Sequence, residues 1–198
     1  MHVSEKSQSD WQSGLTPSER VCLFQIATDT LAACVCSPEQ EFSYDAYPLT
    51  AALRQPQATF VTLHRSDGTL RGCIGTLEPV APLFQSVHEN TVSAALRDPR
   101  FTPVQPNELA DIRITLSLLS APKPIAVPEE FTAGVEGIIL EKHGARAVFL
   151  PEVAAEQGWT REETLDALCM KAGLSPGAWR SEARLSIFFT SILSGSSP

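Results

Sequence analysis

The side chains of His64, Arg71 and Cys73 supply an imidazole, a guanidinium and a thiol within one short stretch of the chain. A cation beside a thiol favours the thiolate, which is the nucleophilic and metal-binding form of cysteine. An imidazole within reach can move protons in the same reaction. These three residues are therefore candidate catalytic residues, provided that the fold brings their side chains together.

A β-hairpin is the element predicted to position them. Asp67-Gly68 is a strong hairpin turn pair between two apolar runs. With this turn, His64 faces Arg71 and Thr62 faces Cys73, and alternation along each strand puts these four side chains on one face. The two predicted strands cover residues 60–65 and 70–76.

Two interpretations of Cys73 follow from this hairpin. In the first, Cys73 lies on the polar face as a diagonal neighbour of His64, with the Cα atoms roughly 7–8 Å apart. In the second, a slip of one residue in the register turns the thiol into the core. A free cysteine is often a small buried hydrophobe, so a packing role remains open beside the reactive one. In the first register, Val61, Leu63 and Ile74 form the core face.

A second group of polar residues follows the hairpin. His88, Glu89 and Asn90 belong to a helix predicted over residues 82–97, which ends before Pro99. His88 flanks the buried stripe and could point at the hairpin or at water, and it is a further candidate catalytic residue. Candidate ligand-binding residues are Arg71, Glu89, Asn90 and Arg100. Asp98 and Arg100 are expected to pair with each other or to brace the helix end rather than to take part in catalysis.

The remaining cysteines and histidines give little sign of a metal or cofactor. Cys34-Val35-Cys36 lacks a second Cys/His pair at a zinc spacing. Cys22 and Cys169 fall among apolar helix residues and are predicted to be core, and His143 is predicted in a solvated turn. Because no dinucleotide, phosphate-loop or zinc-protease motif occurs, we predict no metal and no cofactor.

Composition excludes several classes of protein. The chain has 198 residues, 43% hydrophobic and 19% charged, with a formal net charge of −8 and a pI near 5.0. Such a balance disfavours nucleic acid as a partner, since phosphate binding needs clustered Lys and Arg. No apolar run is long enough for a membrane span, and the first ten residues lack a secretory h-region. The odd cysteine count indicates no disulfide framework, so a cytoplasmic location is expected.

The order of predicted elements indicates an α+β fold with a largely antiparallel sheet flanked by helices. Capping boxes at Thr16–Glu19 and Thr160–Glu163 begin two helices. The first helix is predicted to run to about Val35 and the second to about Ala172. The other predicted elements are a strand over 112–119, a hairpin over 136–150, a short helix over 151–157 and a final strand over 184–193.

Several strings together resemble the AMMECR domain family, whose bacterial members include AmmeMemoRadiSam system protein A. The most specific is Leu70-Arg71-Gly72-Cys73-Ile74-Gly75-Thr76. The resemblance extends over about residues 15–192 and includes these further strings: Phe60-Val61-Thr62-Leu63, Ala94-Ala95, Asp98-Pro99-Arg100-Phe101, Glu136-Gly137-Ile138, Leu150-Pro151-Glu152-Val153-Ala154, Glu156-Gln157-Gly158-Trp159 and Lys171-Ala172-Gly173-Leu174.

The resemblance implies a larger lobe and a smaller lobe with a cleft between them, lined by the signature string. We expect a flexible tail at 1–14, one AMMECR domain of two lobes at 15–193, and a second tail at 194–198. A Memo-like protein and a radical SAM enzyme are implied as partners, but no reaction or oligomeric state is.

Two functions remain open. The chain could be an enzyme, or an enzyme-associated subunit, with a cleft centred on Cys73 and Arg71 and with His64 or His88 moving protons. Alternatively it could be a non-catalytic binding or adaptor module that holds a partner peptide or a small anionic ligand, with Arg71 as an anion clamp.

Overall fold

The structure is a computed structural model that describes residues 13–194 and divides into two compact units. The larger unit comprises residues 13–119 together with 191–194, and the smaller unit comprises residues 120–190. Helices and two four-stranded antiparallel sheets make up the chain, so the predicted α+β class is confirmed. The predicted tails at 1–14 and 194–198 lie largely outside the described residues.

The larger unit places two helices and a 3₁₀ helix around one sheet. Its strands follow the order β2-β1-β3-β8, which leaves β2 and β8 at the two edges. Its elements are α1 (Pro17–Cys36), β1 (Thr59–Arg65), β2 (Leu70–Gly75), α2 (Leu83–Leu96), the 3₁₀ helix Pro106–Asp111, β3 (Ile112–Leu119) and β8 (Thr190–Ser194).

Helix α1 begins where the sequence predicts. The Thr16 hydroxyl accepts a hydrogen bond from the Glu19 backbone N–H, and the Glu19 carboxylate accepts the Thr16 N–H. This reciprocal capping satisfies N–H groups that have no partner within the helix. The fully buried side chains in the core of the larger unit include Leu23 and Ile26 from α1, Val61 and Leu63 from β1, and Val87 from α2.

Gly72 explains how closely α2 approaches the sheet. A Cβ atom at this position would lie 2.2 Å from the Ala94 carbonyl oxygen, which belongs to the backbone of α2. Only glycine permits that approach. Gly72 pairs with the buried Leu63, so α2 covers the sheet face that carries Leu63 and leaves Thr62 and Cys73 on the other face.

The smaller unit packs its own core around the second sheet, whose strands follow the order β4-β7-β5-β6. Fully buried Phe131, Leu140 and Leu165 lie in this core. Thr160 and Glu163 form the predicted capping box at the start of the helix over 161–171. Gly158, at φ 63°, ends the short helix that precedes it. The elements are β4 (Lys123–Ile125), β5 (Gly137–Lys142), β6 (Ala145–Phe149), α3 (Pro151–Gln157), α4 (Arg161–Lys171) and β7 (Arg184–Phe188).

The hairpin register follows the prediction only in part. Thr62 pairs with Cys73, as expected, but a β-bulge intervenes and His64 pairs with Leu70. The predicted pairing of His64 with Arg71 is therefore wrong, because the bulge inserts Arg71 as an extra residue in β2. On the core face Val61 and Leu63 are buried, whereas Ile74 is only half-buried.

The predicted final strand is also wrong in one respect. Residues 184–193 form two strands rather than one, because β7 joins the second sheet and β8 joins the first. The two strands separate at Phe189. Its backbone N–H donates to the Ser120 hydroxyl, and its C=O accepts the Ser120 N–H.

None of the helices described between residues 13 and 194 combines the length and apolar character needed to cross a membrane.

Candidate functional site

Cys73 lies on edge strand β2, on the sheet face that α2 does not cover. Its thiol is half-buried, so Cys73 is not one of the buried core residues. The Thr62 hydroxyl on β1 donates a hydrogen bond to the Cys73 Sγ at 3.3 Å. Thr115 on β3 pairs with Thr62, so Cys73, Thr62 and Thr115 form one polar row across three strands. A hydroxyl donor at this distance stabilises negative charge on sulfur.

The backbone of Cys73 is held by two residues that follow α2. The Asp98 carboxylate accepts the Cys73 N–H at 2.8 Å, and the Arg100 Nη2 donates to the Cys73 carbonyl oxygen at 3.1 Å. Arg100 also donates to both carboxylate oxygens of Asp98, from Nε at 2.9 Å and from Nη2 at 2.7 Å. The pair thus occupies the groups that a neighbouring strand would otherwise use on this edge.

Charge is matched within this pair. Hydrogen bonds from Arg100 hold the pKa of the buried Asp98 carboxyl well below its usual range, with further help from the Cys73 N–H. The pKa of Arg100 is raised, chiefly by its hydrogen bond to Asp98, and the Cys73 side chain adds to the shift. Arg100 therefore provides a permanent positive charge beside the thiol. The expected pairing of Asp98 with Arg100 is observed, but the pair also positions Cys73.

Arg71 is buried in an ion pair instead of facing the thiol row. Its side chain is 3% exposed, and Nε and Nη2 donate to the two Glu108 carboxylate oxygens at 2.7 and 2.9 Å. These bonds lower the pKa of Glu108 to about 2. Phe101 lies between the two guanidiniums, with its ring centroid 5.9 Å from the Cζ of Arg71 and 5.5 Å from that of Arg100. Arg71 thus braces the bulge, the 3₁₀ helix and Phe101.

One nitrogen of Arg71 has no partner. Its Nη1 is buried and finds no hydrogen-bond acceptor among residues 13–194. Buried polar atoms normally have a partner, so this nitrogen is available to a water molecule or to an acceptor on a small ligand.

The two candidate histidines occupy different environments. His64 is half-buried and shares the sheet face of Thr62 and Cys73, one row further along β1. His88 turns toward α1, where its Nδ1 lies 2.9 Å from the Thr30 hydroxyl oxygen. Its ring packs against Phe42, with the two centroids 4.7 Å apart. Burial lowers the pKa of His88. Among these two, His64 is the one that lies with the thiol row.

The remaining residues considered in the sequence analysis lie outside the thiol row. The Asn90 side chain is buried and donates to the carbonyl and hydroxyl oxygens of Thr59, which ties α2 to β1, whereas Glu89 is exposed. Cys22 and Cys169 are buried, as predicted, and the ring of His143 lies in an exposed turn. Within the described part of the chain, no group of three or more His, Cys, Asp or Glu side chains is arranged to hold a metal ion.

Glu108 was not predicted from the sequence. The Glu108 carboxylate accepts the Gln105 N–H at the start of the 3₁₀ helix, and Pro106 at the first helical position is the sequence signal for that start. Nothing in the sequence pairs Glu108 with Arg71, because the contact joins residues 37 positions apart.

Comparison with known proteins identifies relatives over most of the chain. The AMMECR1 family profile matches residues 24–193. A protein from Methanothermobacter thermautotrophicus is 48% identical over 134 residues, which are 65% of this chain and 69% of that protein. Protein MJ0810 from Methanocaldococcus jannaschii is 41% identical over 145 residues, 70% of this chain and 71% of the other.

A solved structure agrees with the fold. The uncharacterised protein PH0010 from Pyrococcus horikoshii superposes with a TM-score of 0.82 at 27% identity, over 94% of this chain and 96% of that one. With the profile match and these relatives, the chain belongs to the AMMECR1 family.

Proposed function

We propose that the chain is an enzyme, or a subunit of one, that uses the Cys73 thiol as its reactive group. The observation that carries the proposal is the arrangement around the sulfur. A half-buried thiol receives a hydroxyl hydrogen bond from Thr62 on an open sheet face, and the Arg100 guanidinium is anchored beside it. A core cysteine needs neither group.

Each neighbour of Cys73 has a distinct role in this proposal. Thr62 donates to the sulfur and stabilises the thiolate. Arg100 adds positive charge, and its Nη1, to which the described residues offer no acceptor, can also hold an anionic group of a substrate, since both N–H groups of Nη2 are already bonded to Asp98 and to the Cys73 carbonyl. Asp98 keeps the guanidinium in place and fixes the Cys73 backbone. His64, on the same face, is proposed to move protons.

The role of Arg71 changes in this proposal. With two of its nitrogens bound to Glu108, Arg71 shapes the bulge that presents Cys73, and only Nη1 remains for a ligand. The Memo-like and radical SAM partners, the cleft and a catalytic role for His88 stay predictions from the sequence.

The reactivity of Cys73 tests the proposal. Iodoacetamide labelling at pH 7, read by mass spectrometry for each of the five cysteines, should modify Cys73 faster than Cys36, although Cys36 is the more exposed. In Thr62→Val and in Arg100→Gln, Cys73 labelling should slow about three- to tenfold, because each change removes one group that stabilises the thiolate.

Arg97→Gln is the matched control for the charge. Arg97 is exposed and lies three residues before Arg100, outside the thiol row, so its loss should leave Cys73 labelling unchanged. Equal rates in wild type and in all three variants would contradict the activated thiol and leave Cys73 as a packing residue.

A second function is favoured by the free Nη1 of Arg71. A buried guanidinium nitrogen without an acceptor suits a binding module that captures a carboxylate or a carbonyl group. If the chain is such a module, Arg71→Lys should lose the Memo-like and radical SAM proteins in a pull-down, while Cys73→Ser should retain them. Equal recovery by wild type and Arg71→Lys would count against this function.

A further inference from the structure

A groove of the larger unit lies mainly on the sheet face opposite Cys73. It has a volume of about 790 Å³ and runs between α1 and the adjoining strands β3 and β8. Ile114, which pairs with the buried Leu63, forms part of its floor. Since Leu63 lies on the face that the helices cover, Ile114 faces away from the thiol row, whereas Arg113, which pairs with His64, starts from the face of the thiol row and also lines the groove.

Exposed apolar side chains form part of the wall of the groove. Val21 on α1 is 67% exposed and Ile192 on β8 is 52% exposed, and both line the groove. They are two of the five large hydrophobic side chains exposed in the described chain. Phe24, Leu109 and Ile112 extend the apolar lining. Contiguous exposed apolar surface of this kind marks a binding site more often than chance.

Two arginines on the rim carry charge without a carboxylate partner. Among residues 13–194, Arg20 donates through Nε to the Leu15 carbonyl oxygen, and Arg113 donates to the carbonyl oxygens of Ala110 and Ile112. No Asp or Glu among residues 13–194 lies within 4.0 Å of either guanidinium. In a protein with a net charge of −8, unneutralised cations at one groove are a sign of an anionic ligand.

We propose that this groove binds an anionic amphiphile, with an aliphatic chain against Val21, Phe24 and Ile192 and a carboxylate at Arg20 or Arg113. The volume is in the usual range for small-ligand sites, which are mostly apolar with a few polar groups that orient the ligand. A single-chain carboxylate matches both features of the lining, because its chain can cover the apolar side chains while its charge pairs with a rim arginine.

Decanoate below its micelle concentration is the probe. Methyl NMR of the full chain should show saturable shifts for Val21, Ile112 and Ile192, while the Val80 methyls, which are exposed elsewhere on the same unit, should not move. Butanoate, which has the charge without the chain, and decanol, which has the chain without the charge, should each bind more weakly than decanoate.

Variants separate the two parts of the site. Arg20→Gln and Arg113→Gln together should weaken decanoate binding about tenfold, because the variant loses the charge-assisted hydrogen bond to the carboxylate. Decanol has no charge, so its binding should stay unchanged. Val21→Asp should weaken both ligands. The control Arg97→Gln removes an exposed cation away from the groove and should change neither.

Three results would overturn the proposal. The first is the absence of saturable decanoate shifts at the groove methyls in the wild-type chain. The second is decanoate affinity that survives both Val21→Asp and the double arginine variant, since binding would then lie elsewhere. The third is equal affinity for decanoate and decanol, because the rim arginines would then not bind the carboxylate.

Discussion

Replacing Glu108 by glutamine should destabilise the larger unit strongly. The change leaves the Arg71 guanidinium, 3% exposed, without its counter-charge, and it loses two charge-assisted hydrogen bonds of 2.7 and 2.9 Å. Breaking a buried ion pair by removing one partner costs about 3–5 kcal/mol. Glu108 itself is 26% exposed, so water can relieve part of the loss, and we expect about 2–3 kcal/mol.

The pKa of Glu108 supports the same magnitude. It falls from 4.5 to about 2 because Arg71 bonds to the carboxylate. A carboxyl whose folded pKa is depressed adds stability above its unfolded pKa, and that stability is lost as the pH falls through the folded pKa. The shift corresponds to about 3 kcal/mol before allowance for solvent. As the pH falls from 4.5 to about 2, the wild type should therefore lose the stability that the Glu108 carboxylate provides. Glu108→Gln already lacks this stability at pH 7.

Urea unfolding followed by far-UV circular dichroism is the assay. Two of the three tryptophans, Trp159 and Trp179, belong to the smaller unit, so their fluorescence would not report directly on the change. The matched control is Glu130→Gln, since the Glu130 carboxylate also accepts backbone N–H groups at the start of a 3₁₀ helix, from Ala126 and Val127, but has no buried arginine partner among the described residues. It should cost about 1 kcal/mol or less.

A double variant sharpens the test. In Arg71→Met with Glu108→Leu, apolar side chains of similar size replace the pair, and much of the lost stability should return. The reasoning would be refuted if Glu108→Gln cost no more than Glu130→Gln, or if its stability fell as steeply as that of wild type below pH 4.5.

Three further outcomes follow from the same contacts. Asp98→Asn should speed hydrogen exchange at the Cys73 amide at least tenfold relative to the Leu63 amide, because the carboxylate that accepts this N–H loses its charge; an unchanged ratio would contradict the anchoring role. Gly72→Ala should cost about 1–3 kcal/mol in urea unfolding, since the new Cβ would lie 2.2 Å from the backbone oxygen of Ala94, and a neutral result would mean that α2 can move away freely. Burial lowers the pKa of His88, so its contribution to stability is complete above about pH 6.5 and is lost as the pH falls through the lowered folded pKa. His88→Phe should therefore lose less stability than wild type between pH 7.5 and 5.5, and parallel losses would show that other groups control this range.

Local signals in the sequence predicted most of the elements. The capping boxes at Thr16 and Thr160 begin helices α1 and α4, and the Asp67-Gly68 turn forms the first hairpin. These features depend on residues within a few positions of each other, where backbone hydrogen bonding leaves few alternatives. The pairing of Thr62 with Cys73 follows from the turn in the same way.

The features that the sequence did not reveal depend on distant contacts. The bulge at Arg71 accompanies an ion pair with Glu108, and neither strand shows it as a pattern. Phe189 interrupts an otherwise strand-like run because its backbone bonds to Ser120, 69 residues away. For the same reason the sequence suggested Arg71 as the cation beside the thiol, whereas Arg100 occupies that position through Asp98.

The relative rates of cysteine alkylation in the wild-type chain test the central proposal most directly. An activated Cys73 should label faster than Cys36 in the folded chain at pH 7, and this advantage should disappear when urea unfolds the chain. Cys22 and Cys169, both buried, should label only after unfolding and serve as internal references. If Cys73 instead labels no faster than Cys36 in the folded chain, the thiol is not activated and the proposed chemistry at Cys73 is wrong.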